Sequence, residues 1–143
     1  MLLINLLTGL PVMLICLVLQ AIFVITSMHH FARFRIAHEG RDSQVLEILR
    51  LAVVMMLMLL GNMAQMVIWA VLFLLLGEFS DFSTAVYHSA VNFVTLGYGD
   101  IVMSERWRLL GPLEAINGIL MFGVSTAVMT AAVLDVVKRP GRG

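Results

Sequence analysis

Thr95-Leu96-Gly97-Tyr98-Gly99-Asp100 is the stretch on which the reading of this chain turns. Its two glycines alternate with bulkier residues, and glycine reaches φ > 0 with little steric cost. Just before it, residues 82–94 form an apolar run of about 13 residues. That is too short to cross a bilayer, whose hydrocarbon core is about 30 Å thick. It suits a re-entrant helix that enters a membrane and turns back, with Asp81 or Ser83 capping its start. Non-helical backbone at membrane depth is tolerated only inside protein or beside water. The hexapeptide is therefore expected to line a protected cavity.

The flanks supply the membrane. Of the 143 residues 61% are hydrophobic and 13% charged, against roughly half and a quarter in soluble domains. Residues 1–28, 51–76 and 115–134 carry no charged side chain. Each is long enough to span, since a spanning helix needs about 20 mostly apolar residues. The first run lacks the basic start and small-residue cleavage site of a signal peptide and reads as retained. Thr8, Gly9 and Pro11 interrupt it, so its spanning part is expected to begin near Pro11, a residue tolerated in a helix's first turn. The single cysteine, Cys16, reads as a buried inert thiol. Zero net charge gives no case for nucleic acid.

Basic residues near span ends prefer the cytoplasm. Arg33, Arg35, Arg41 and Arg50 follow the first span, and Lys138, Arg139 and Arg142 follow the third. The second loop holds Arg106 and Arg108 but also Glu78, Asp81, Asp100 and Glu105. The expected topology is multi-pass in a cell membrane, with the N-terminus and second loop outside and the first loop and C-terminus cytoplasmic.

The hexapeptide resembles the selectivity filter of potassium channels, and the likeness extends beyond it to the bacterial pore-domain family. Trp107 lies seven residues after Asp100, a spacing found there. The run Asn117-Gly118-Ile119-Leu120-Met121-Phe122-Gly123-Val124-Ser125-Thr126-Ala127 looks like the inner, pore-lining helix, with one residue deleted between Trp107 and Gly118. The similarity covers about residues 51–134, and the extra first helix looks like that of small three-span bacterial channels. The resemblance implies K⁺ held by Thr95, Leu96, Gly97, Tyr98 and Gly99 through stacked rings of backbone carbonyls that replace its water. It places Asp100 at the pore mouth, Gly118 at a hinge, and Thr126 and Ala127 near the inner constriction, with Gly123 a candidate for the inner gate through the small-residue ladder described below. Physical chemistry agrees. Carbonyls aimed to one side need backbone of alternating hand, which Gly97 and Gly99 allow. The carbonyl end of the short helix carries about half a negative charge and would favour a cation in the cavity.

This chain departs from the family pattern at three places. Val91 stands where many bacterial pores carry a pore-helix glutamate, Tyr87 and His88 where tryptophans are common, and Leu96 where Val or Ile is usual. Filter stability must then come from elsewhere. Glu114, at the start of the third span, is expected to brace the pore helix or filter, with His88 or Tyr98 as partner; the alternative is an interfacial carboxylate facing water.

Other polar residues have competing readings. Gly123, Ala127 and Ala131 form a small-residue ladder, either for crossing at a gate or for packing on the second span. Ser125, Thr126 and Thr130 either face a wet cavity or bond to backbone one turn earlier. Asp135 reads as a local salt bridge in preference to a cation-concentrating ring. Asn62 and Gln65 are expected to bond to a neighbouring helix. His29, His30 and His38 read as interfacial residues in preference to proton sensors. The basic loop could attract anionic lipid, although Glu39, Asp42 and Glu47 dilute it. No repeated arginines mark a voltage sensor, no regulatory domain is expected after Lys138, and no catalytic motif supports an enzyme.

The expected fold is an all-α membrane protein with three transmembrane helices, a re-entrant pore helix and a filter loop, assembled as a homotetramer around a central pore. Residues 1–50 form the additional helix and basic loop. Residues 51–138 form the pore domain: outer helix 51–77, pore helix 82–94, filter 95–100 and inner helix 112–138. Residues 139–143 form a short cytoplasmic tail. The expected function is passive, K⁺-selective conduction, with no cofactor beyond the transported ion and with membrane lipid as a partner. The alternatives are a weakly selective cation channel and a non-conducting regulatory or lipid-binding subunit.

Overall fold

The computed structural model describes residues 2–37 and 44–138, and the side chains of all of these except residues 34–37. His38, Glu39, Arg41 and Asp42 of the basic loop, and the tail 139–143 with Arg139 and Arg142, lie outside the described residues. The described chain is all-helical: α1 (Leu2–Ala37), α2 (Gln44–Leu75), α3 (Phe82–Phe93) and α4 (Leu110–Val137). Three segments are long and apolar enough to cross a membrane: Leu2–Arg33, Gln44–Leu75 and Leu110–Val137. α3, at 12 residues, is too short to do so.

Helix α1 differs from expectation at its start. It begins at Leu2 and runs through Pro11 without a break. The reason lies in its neighbours. A Cβ at Gly9 would come within 2.8 Å of Leu113 Cδ1 and 3.2 Å of Leu110 Cδ2, so the first turns of α1 press on the start of α4. The Thr8 hydroxyl donates to the Ile4 carbonyl at 2.8 Å, and Asn5 Nδ2 donates to the Arg106 carbonyl at 2.8 Å. These contacts hold the helix across the position where proline removes one N–H. Helix α2 starts earlier than residue 51, at Gln44, because Glu47 and Arg50 continue its helical register beyond the apolar run.

Helices α1, α2 and α4 pack against one another, and α3 sits against α2 and α4. Two apolar clusters make the core. One joins Cys16, Trp69, Phe73, Phe93, Leu110 and Met121. The other joins Val54, Met58, Val128 and Ala132, with Phe23 and Met28 packed against them. Between the two lie the buried polar side chains Gln20, Asn62, Gln65, Asn117 and Ser125.

Candidate functional site

Asp81 caps α3, accepting the Thr84 amide at 2.8 Å and the Thr84 hydroxyl at 2.9 Å on one oxygen. Those bonds hold its carboxyl below the usual carboxylate value. Ser83 is not the cap. The helix ends at Phe93, and the chain then folds back onto its last turn. The amides of Thr95 and Leu96 donate to the carbonyls of Asn92 and Val91, each at 2.9 Å.

From there the backbone alternates in hand. Thr95 has φ 59°, Gly97 57° and Gly99 73°. Every second residue of the hexapeptide is therefore left-handed, which lets successive carbonyls aim to one side. At Thr95 the conformation is strained, since a β-branched residue rarely adopts φ > 0. The whole stretch from Val94 to Asp100 is exposed in the single chain. It rests on α3 from behind and leaves its other side uncovered.

The segment after the hexapeptide is tied at several points. The Tyr87 hydroxyl donates to Asp100 Oδ2 at 2.7 Å. This bond lowers the Asp100 carboxyl and raises the Tyr87 phenol from their ordinary values. His88 lies between Phe73 and Phe79, with ring centroids 5.5 and 4.9 Å away. Its Nδ1 bonds to the Ile101 carbonyl at 3.1 Å, and its Nε2 meets Asn92 Nδ2 at 2.9 Å. Burial lowers its pKa, against smaller opposing effects of the Ile101 bond and the charges of Asp100 and Glu78. Glu78 accepts the Ser104 amide at 2.6 Å on one oxygen and the Ser104 hydroxyl at 2.7 Å on the other.

Glu114 is fully buried. Its partner is neither His88 nor Tyr98 but Ser89 of α3, whose hydroxyl is shared between the carboxylate and the Met66 carbonyl. Tyr98 instead is 66% exposed, too far out of the core to meet a buried carboxylate. Gly118 is buried where α4 crosses the end of α3, and a Cβ there would overlap the Phe93 carbonyl. Its visible role is close approach, in a helix that runs unbroken from Leu110 to Val137.

Gly123, Thr126, Ala127, Thr130 and Ala131 lie on the exposed side of α4, away from α2. The ladder therefore does not pack on the second span within one chain. Ser125 faces the opposite way, 3% exposed and bonded to Gln20 and Asn62. Asn62 and Gln65 do reach neighbouring helices, α4 and α1 respectively. Asp135 lines a cavity of about 240 Å³ with Met28, Phe31 and Ala132. Among the described residues no cluster of His, Cys, Asp and Glu could hold a metal ion.

Tyr87 and Ser89 are the partners that sequence reasoning missed. Their signal was their type: a phenol and a hydroxyl on the short helix that precedes the hexapeptide.

A family model described as an ion channel matches residues 57–135, which run from within α2 through α3 and the hexapeptide into α4. The chain belongs to this ion-channel family. No curated protein and no solved structure matches it. The ion channel's α1 lies outside the matched region, yet it supplies Asn5 and Gln20 to bonds with residues inside that region.

Proposed function

We propose that this ion-channel chain is one subunit of a homotetrameric, potassium-selective channel in a cell membrane. The observation that carries the reading is the left-handed backbone at Thr95, Gly97 and Gly99 in an otherwise uncovered segment. Four such segments around an axis would stack carbonyl rings whose oxygens replace the water of K⁺. Helix α3 would be the re-entrant pore helix, its carbonyl end favouring a cation in the cavity below. Asp100, exposed at the end of the segment, would stand at the outer mouth and attract cations. The exposed face of α4, with Gly123 and Thr126, would line the inner pathway, and Gly118 would keep α4 against the pore helix. The excess of arginine after α1 supports a cytoplasmic first loop and C-terminus, with the filter mouth outside. The same arginines would meet anionic headgroups.

The test is ion flux into liposomes holding the purified chain, with K⁺ and Na⁺ as rivals. K⁺-selective flux that Gly97→Ala abolishes or makes unselective is the expected result, because alanine is strained at φ 57°. Equal passage of K⁺ and Na⁺ would establish a weakly selective cation channel instead. Absent flux from an assembled tetramer would favour a non-conducting subunit.

A further inference from the structure

The polar layer between the two apolar clusters has a direction. Asn117 Nδ2 donates to Gln65 Oε1 at 3.5 Å, and Gln65 Nε2 donates to Gln20 Oε1 at 2.7 Å. Gln20 Nε2 donates to Ser125 Oγ at 3.0 Å. Ser125 and Asn62 then meet at 3.3 Å from the amide and 3.5 Å to its carbonyl oxygen. All five residues are 4% exposed or less. Gln20 is the middle link and the one member from α1. Without it, Gln65 Nε2 loses its acceptor, and Ser125 keeps Asn62 alone. Gly61 leaves the room this needs, since a Cβ there would lie 3.3 Å from Gln20 Oε1 and 3.1 Å from the Phe23 ring.

The layer meets α4, the helix read as lining the pathway, at Asn117 and at Ser125, and Ser125 is the one bonded to Gln20. Its sequence neighbours Val124 and Thr126 are exposed, while Ser125 is buried. A turn of α4 by one residue, about 100°, would carry the hydroxyl out of the layer. Lipid gives no hydrophobic drive to hold helices together, so packing and interhelical hydrogen bonds set their arrangement. We propose that Gln20 is a positioning residue. Through Ser125 it fixes the rotation of α4 about its own axis, and with it the fraction of time the pore conducts. Helix α1 is thereby a built-in regulator of the pore that it flanks. This inference rests on the conduction reading above.

The experiment uses the full chain in lipid. Gln20→Met keeps length and bulk but removes both donor and acceptor. The expected result is a change in single-channel open fraction of about threefold or more, with the K⁺/Na⁺ reversal potential unmoved. Ser125→Ala moves the open fraction in the same direction, and the double variant moves it no further than the larger single change. Ser125→Thr restores the hydroxyl and the original open fraction. A merely structural role would lower the melting temperature of the tetramer and leave open fraction unchanged, which overturns the proposal. So would independent, additive effects of the two single changes. If Gln20→Met does not assemble, Ser125→Ala is judged alone by the same criterion. A second readout stands apart from conduction: maleimide labelling of Thr126→Cys in a Cys16→Ala background. Gln20→Met is expected to change that rate about threefold or more. An unchanged rate overturns the positioning role even if the chain passes no ions, whereas a changed rate without flux leaves only the conduction reading in error.

Discussion

Behind the left-handed segment, two side chains of α3 hold the loop that leaves it: Tyr87 grips Asp100, and His88 grips the Ile101 carbonyl. Tyr87→Phe removes the first bond and nothing else. Asp100 should then titrate closer to 3.8, the ordinary value from which the bond lowers it. K⁺ flux under a sustained gradient should decay roughly twofold faster or more, as expected for losing one hydrogen bond to a charged group. An unchanged decay with an unchanged Asp100 titration would remove Tyr87 from any bracing role. His88 gives a pH dependence with a definite sign. Its folded pKa lies below 6.5, so between the two values the unfolded chain binds more protons. Stability is complete above pH 6.5 and falls as pH drops through that window. Thermal melting of the protein at pH 7.5 and 5.5 checks this, and His88→Gln should flatten the difference. Both grips were beyond reach of the sequence. Tyr87 and Asp100 are 13 positions apart, joined by a turn whose shape depends on three left-handed residues. One of these, Thr95, carries a side chain that argues against the conformation. The same limit applies to Glu114. That a carboxylate in a span needs a partner follows from lipid alone, but Ser89 as that partner follows only from how α3 sits on α4.

At the scale of elements, the existence of the four helices was legible because charge-free runs of that length have few other fates. Their ends were not. Pro11 looks like a start because proline lacks a donor. The bonds of Asn5 and the press of Gly9 on α4 carry the helix back to Leu2. Gly118 was read as a hinge from its resemblance, while its surroundings show a crossing point. A methyl group there meets backbone, which cannot swing aside as a flexible side chain can. Gly118→Ala should therefore cost about 1–3 kcal/mol, the range for overpacking a tight core. Gly123→Ala, with nothing within 4 Å of the added methyl in one chain, should leave the isolated subunit untouched. Melting temperatures of the two variants check this, and equal effects would set aside the close-approach role of Gly118. The orientation of Ser125 and of the Gly123 ladder is likewise a matter of helix rotation. A helix apolar all round does not reveal that rotation by its periodicity.

The whole molecule leaves uncovered what other membrane proteins bury. Residues 94–100 and the small-residue side of α4 are exposed within one chain. One chain offers one set of carbonyls in this segment, and encircling an ion takes several. The expected outcome is a tetramer in mild detergent by mass, with K⁺ raising its melting temperature and Na⁺ doing so less. Ligand binding to the folded state stabilises it by mass action. A monomer indifferent to both ions would set the conduction reading aside.

The loop after residue 100, finally, is bound to α1 by Asn5, to α3 by His88 and to the α2–α3 connection by Glu78. Its two arginines, Arg106 and Arg108, stand exposed among those ties. Those ties all lie on the N-terminal side of such a cut, and α4 beyond it packs against α1, α2 and α3, so covalent continuity at that point is redundant. Trypsin acting on the assembled protein can cut there without releasing either piece. The two fragments, made separately, have the contacts needed to find each other and re-form the subunit.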